Sequence, residues 1–247
     1  PQFNLKLYAA FDTHVQAALV RDILKTVKNA EETVVVLPDS EALIPLLSEI
    51  SSVASEFNVS MGYPLQRSSL FSLLDFIFQA QLSGRKNIYY ARDYLKALRH
   101  PFVKNLKLSS HAPVMRVVVH KLEEMLTGQA ASAISGKLFL TLGEIERCQD
   151  FYTTVKETLK HAAIEVSRDE LAGALKAVHR VLFYSWEHIS HFKDFAGVLR
   201  EFLTLMNEKS FMDAYPLNVK IARRILDLTD ELERSQFARE HFPREEM

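Results

Sequence analysis

Cysteine is almost absent from this chain: Cys148 is the only one. A single thiol excludes an internal disulfide and any zinc site built from several cysteines, and it suits a reducing cytoplasm. Glycine is scarce too, with 7 residues in 247. So few positions free to take positive φ disfavour an all-β fold with many tight turns. No Gly-x-x-x-x-Gly-Lys-Ser/Thr segment occurs, so the phosphate cradle of a P-loop enzyme is missing. Neither sign of charge is in excess. The 30 basic and 31 acidic residues leave a formal net charge of -1, and no global attraction to nucleic acid or acidic membrane. No apolar run reaches the ~18 residues of a membrane-spanning helix. Fixed-period repeats and low-complexity tracts are also lacking.

What is present reads as α/β first and all-α afterwards. With 48% apolar and 25% charged residues, the composition is that of a globular protein of one or two domains. Residues Phe3–Ala9 alternate, with Phe3, Leu5 and Leu7 on one face and Asn4 and Lys6 on the other, the pattern of a half-buried strand. Asp12 or Thr13 caps a helix carrying Val15, Leu19, Ile23 and Val27 at helical spacing. Thr33–Leu37 is a β-branched run expected to be a strand buried on both faces. Pro38 ends it, and Asp39 or Ser40 caps a helix in which Pro45 introduces a kink or division. Phe57–Met61 is the third strand. The order β-α-β-α-β predicts a small parallel three-stranded unit with right-handed crossovers.

Beyond Gly62-Tyr63-Pro64 the apolar pattern becomes helical. Leu70–Leu82 is apolar on nearly every side, so a helix buried all round is expected there. Ala91–Leu98 is a short amphipathic helix stopped by Pro101, and residues 102–112 read as irregular. Val114–Leu126 is apolar enough for a helix, although Val117-Val118-Val119 also suits a strand. Residues 127–137 are small and turn-rich, the best internal linker. Helices are expected at about 142–164, 168–190, 193–209 and 217–235, with Ser167 and Glu170 forming a capping box. The expected domains are 1–100 (α/β) and 101–247 (helical), mostly helical overall.

Few residues form a recognisable reactive pattern. His179, His188 and His191 lie on one helix or its end, and His188 and His191 share a face that offers a metal edge. Neither zincin order of His and Glu is present, and no third ligand is evident, so structural or incidental histidines account for them. Glu123-Glu124, Glu144/Glu146 and Asp227/Asp230/Glu231 fit solvated helix faces with basic neighbours. Asp39 sits where α/β ligand sites lie, at the end of the central strand, but a helix cap accounts for it. A small-molecule enzyme using that region would need a deep pocket there. Cys148 has no placeable histidine partner for nucleophilic work. The remaining candidate is a mixture of basic and aromatic residues: Tyr63, Arg67, Tyr90, Arg92, Lys96 and Arg99, with Tyr89, His100 and Lys104 nearby. Such interleaving suits single-stranded nucleic acid, where bases stack and phosphates meet cations. A packed helix pair with a polar rim has the same composition.

Over residues 3–100 the chain resembles the start of the second RecA-like domain of UvrD/RecB-type superfamily 1 helicases. The resemblance rests on Leu5-Lys6-Leu7-Tyr8-Ala9-Ala10, the helix near Asp12–Leu24, Val34-Val35-Val36-Leu37-Pro38-Asp39, the Asn58–Leu65 segment, Ser69-Leu70-Phe71, and residues 94–103. Val59-Ser60-Met61-Gly62-Tyr63-Pro64-Leu65 is most similar to the AddB-like helicase–exonuclease family. In that family a helical insertion, the 2B-type domain, follows the 2A-type domain, and residues from about 104 onward fit its length and helicity. The Walker motifs, the Asn-Tyr-Arg-Ser motif, the Thr-x-His-x-x-Lys-Gly motif and the nuclease residues of the family have no counterpart here, so no family catalytic residue is carried over.

The resemblance implies a non-catalytic fragment of an ATP-dependent helicase–nuclease acting in DNA double-strand-break repair and recombination. ATP and Mg²⁺ would belong to the parent protein, and this fragment would hold no cofactor. Its implied partners are the remaining domains of the same polypeptide and single-stranded or forked DNA. No membrane is implied, and a dimer through an exposed sheet edge is a further expectation. The contrasting expectation is a stand-alone helical protein-interaction module with an α/β cap.

Overall fold

The computed structural model describes residues 4–29, 32–54, 56–60, 64–84, 87–109, 111 and 113–241. The chain divides into two compact units, Pro1–Pro64 and Leu65–Met247. The sequence predicts a boundary near residue 100. Residues 65–100 instead pack with the helices that follow, because Leu70, Leu73, Ile77, Tyr94 and Leu98 enter the same continuous core as the later helices.

The first unit pairs two helices, α1 (Thr13–Leu24) and α2 (Leu43–Ile50). Asp12 caps α1, its carboxylate accepting from the Val15 amide at 2.9 Å. Asp39 caps the turn that leads into α2, accepting from the Glu41 amide at 2.8 Å. Pro45 falls in the first turn of α2, where an amide has no intrahelical partner, so no kink is needed. Ala17, Leu46 and Ile50 form a small core with Val20, Leu24, Leu37, Leu47 and Val53 around it.

The three-stranded parallel sheet is not seen. Among the described residues, 4–9, 33–37 and 56–60 carry no strand ladder. Phe3 and Met61, at the outer ends of two of the expected strands, lie outside the described residues. Leu7, Val34 and Val36 are each more than 80% exposed, at 86%, 82% and 82%. The physical reason is that β-branched residues favour a pleated surface only when neighbouring strands complete it. Among the described residues the pattern has no such neighbours.

The second unit is helical around one large core. Its elements are α3 (Ser69–Ser83), β1 (Ile88–Tyr90), α4 (Ala91–Arg99), α5 (Pro101–Lys104), α6 (Val114–Leu126), β2 (Phe139–Thr141), α7 (Leu142–Arg147), α8 (Gln149–His161), α9 (Arg168–Leu182), α10 (Phe192–Lys209) and α11 (Pro216–Arg234). Ser68 starts α3 by accepting from the Phe71 amide, and Ser167 starts α9 by accepting from the Glu170 amide, each at 3.1 Å. The helix expected over 142–164 is broken at Cys148, which leaves the helical conformation between α7 and α8. The 127–137 stretch reverses the chain between α6 and β2. Gly128 and Gly136 take positive φ there, and both amides donate to the Met125 carbonyl. That reversal brings β2 antiparallel to β1 in a two-stranded ribbon, Tyr89 opposite Leu140.

Trp186, Tyr89, Tyr94, Phe102, Phe151, Phe183 and Phe202 are the largest fully buried side chains. Most of them meet around the end of α9 and the turn Tyr184–Trp186, where edge-to-face and tilted ring contacts join Phe183 to Tyr89 and Tyr94. Among the described residues, no helix is long and apolar enough to cross a membrane.

Candidate functional site

The six basic and aromatic candidates do not behave as one set. Tyr63 lies outside the described residues. Arg67 is exposed at the end of the turn Leu65–Arg67, before α3. Arg92, Lys96 and Arg99 share one face of α4 by their i, i+4, i+7 spacing. On that face Lys96 is held by Asp93 at 3.1 Å and by the Gln79 side chain at 3.1 Å. Arg99 meets Glu123 of α6 at 3.1 Å. Arg92 is exposed and makes no ion pair among the described residues.

Tyr90 ends β1 and leans on Phe139 of β2, ring centroids 5.4 Å apart with the planes at 39°. The two are register partners across the ribbon. Strand alternation sends Tyr89 and Leu140 into the core, at 2% and 1% exposure, and turns Ile88, Tyr90, Phe139 and Thr141 outward. Phe139 is 59% exposed, so an apolar aromatic surface faces solvent, and Arg92 follows Tyr90 by two residues. Phe139 was not legible as a site residue. Its one local signal is the run Leu138-Phe139-Leu140-Thr141 after Gly136, which has strand composition but no visible partner in sequence.

The three histidines are dispersed. His188 and His191 are exposed, and His191 caps α10 with Asp194. His179 is fully buried. Among the described residues, no group of three or more His, Cys, Asp or Glu side chains could hold a metal ion. Cys148 is buried at the α7–α8 junction. Asp39 is engaged as a cap.

His179 links three elements. Its Nδ1 lies 2.8 Å from the Glu146 carboxylate of α7, and its Nε2 lies 2.9 Å from the Tyr94 hydroxyl of α4. A carboxylate only accepts, so Nδ1 carries the proton and donates to Glu146. The neutral ring then accepts from the Tyr94 hydroxyl at Nε2. Burial holds the His179 imidazole below its ordinary range, against the pull of Glu146. Glu146 is itself lowered, chiefly by the hydrogen bond from His179. Burial pushes Tyr94 well up, so it stays a donor.

A second chain runs beside the first. Gln81 donates to the Phe183 carbonyl at 3.0 Å and contacts the Tyr89 hydroxyl, which donates to Glu187 at 2.5 Å. Together the two chains fasten the corner after α9 to α3, β1, α4 and α7. They satisfy buried polar groups that would otherwise destabilise the core.

No protein-family model, curated protein or solved structure matches the chain.

Proposed function

We propose that this chain is a non-catalytic scaffold from an AddB/RecB-like helicase–nuclease of DNA break repair, working in the cytoplasm. Its role is to support the DNA path and to pack against neighbouring domains of the same polypeptide. The observation that carries the reading is in the first unit. Leu5, Leu7, Val34 and Val36 have strand-like spacing, yet all are at least 70% exposed. A sheet segment lacking its neighbours has this appearance. In the parent protein these segments form the three parallel strands and join a larger sheet. ATP and Mg²⁺ belong to the parent, and no residue of this chain is assigned to hold them.

Hydrogen exchange tests the reading. Amides of residues 4–9, 33–37 and 56–60 exchange freely in the isolated chain and become protected when the chain is part of the longer polypeptide. If they remain unprotected there, the scaffold reading fails. ATP hydrolysis that persists in the rigorously purified chain would also overturn it. A helical protein-interaction module is the second reading, favoured by the large closed core of Leu65–Met247. The two part on DNA: the first expects weak, salt-sensitive binding of single-stranded or forked DNA, the second none.

A further inference from the structure

We infer that the outward face of the β1–β2 ribbon is a stacking platform for the bases of single-stranded DNA, with Tyr90 and Phe139 supplying the rings and Arg92 the phosphate contact. The inference rests on the DNA-path reading above and gives it a location. Three observations carry it. The first is that the two rings lie on the face turned away from the core. The core face of the ribbon is already filled by Tyr89 and Leu140, while Phe139 stands 59% exposed and Tyr90 is half-buried on the outward face. The second is geometry. Tyr90 and Phe139 touch across the ribbon at 5.4 Å, so each ring limits the motion of the other and the pair is presented ready-formed. The third is charge. Arg92 follows Tyr90 by two residues, and the Ala91 amide donates to the Leu138 carbonyl at 2.8 Å. That bond pins the start of α4 to the chain just before Phe139, so cation and rings issue from one corner.

Electrostatics select the member of the candidate set. Lys96 and Arg99 are neutralised by Asp93 and Glu123. Arg92 keeps its charge available for a polyanion. An apolar protein segment would also cover Ile88, Leu138 and Phe139, but it would leave the guanidinium without a counter-charge. Stacked bases with a phosphate alongside satisfy both the rings and the cation.

The test is fluorescence anisotropy with labelled oligothymidine, using the full chain at low and moderate salt. Phe139→Ala is expected to weaken binding about tenfold, within the range of one lost base stack. Phe139→Trp keeps wild-type affinity, because any large π-face serves. Leu138→Ala leaves affinity unchanged, since that side chain is apolar but not aromatic. Arg92→Ala weakens binding and reduces the salt slope by roughly 0.7, the value for one single-strand phosphate contact. Phe139→Leu separates loss of stacking from loss of fold, because it keeps apolar bulk and must still weaken binding. If the wild type binds and Phe139→Ala, Phe139→Leu and Arg92→Ala bind equally well, the platform is overturned and the DNA reading stands with its site elsewhere. If the wild type does not bind at low salt, both fall.

Discussion

Replacing His179 and Tyr94 singly and together gives the sharpest test of how the core is held. His179→Phe removes the group that bonds both Glu146 and Tyr94 in a fully buried place. The Tyr94 hydroxyl is then left without an acceptor at 0% exposure. Glu146 is less affected, because its side chain is 15% exposed and reaches water. One stranded buried hydroxyl costs about 1–3 kcal/mol. Tyr94→Phe alone leaves only an unused lone pair on Nε2 and costs about 1 kcal/mol. In the double variant the stranded hydroxyl is gone, so the second substitution costs nothing or restores stability. The expected coupling is therefore about 1–2 kcal/mol.

Urea unfolding followed by the fluorescence of the single Trp186 reads this directly. That indole is buried among Phe78, Phe195 and Phe202 near the same corner. If Tyr94→Phe costs the same in both backgrounds, within about 0.3 kcal/mol, the two side chains are not coupled and the hydrogen bond between them does not hold the core. The pH dependence gives a second check. Burial disfavours the imidazolium in the folded state, while the unfolded chain protonates near pH 6.5. Stability from this group is complete above that pH and is lost as the pH falls, with a slope of up to ~1.4 kcal/mol per pH unit. Glu146, lowered from 4.5, adds a separate loss only below that value. His179→Phe should flatten the first part of the profile.

His100 should contribute to acid sensitivity in the same direction. Burial lowers it from 6.5 to about 4, against the raising effect of the hydrogen bond its ring donates to the Ser69 backbone carbonyl, so stability is lost as the pH falls across that window; His100→Asn should remove this part of the curve. Arg200 bridges Asp230 at 2.7 Å and Glu233 at 2.8 Å between α10 and α11, but all three side chains are at least 32% exposed. Arg200→Ala should cost no more than about 1 kcal/mol in thermal unfolding, and the difference should shrink in high salt. Ser167→Ala removes the acceptor for the Glu170 amide at the start of α9 and should cost about 1 kcal/mol, with Ser167→Asp close to wild type in the same unfolding assay.

The local rules of the chain were readable without a structure. Asp12, Asp39 and Ser167 cap where their side chains can reach an amide two or three residues on, a relation contained within a single turn. The apolar spacing of Leu70–Leu82 and Val114–Leu126 likewise decided helix, and in 114–126 the helical period outweighed the β-branched Val117-Val118-Val119. The Asp93–Lys96 pair follows from spacing on one helix.

What sequence could not decide depends on partners distant along the chain. The run Thr33–Leu37 has strand composition, but a strand exists only with a neighbour to bond, and Val34 and Val36 remain in solvent. Conversely, β1 and β2 are three residues each and become a ribbon only because α4, α5 and α6 return the chain antiparallel to itself. Phe139 was invisible as a site residue for the same reason: its ring partner lies across that ribbon. Arg99 read as an available cation until Glu123 of another helix reached it. His179 read as one of three neighbouring histidines, yet its chemistry is set by Tyr94 and Glu146, brought to its two nitrogens by separate helices. Caps and periodicity were determined by the sequence itself because their energies lie within one turn. Pairing, neutralisation and tautomer were decided only by tertiary structure, because their energies depend on which distant groups packing brings within about 3 Å.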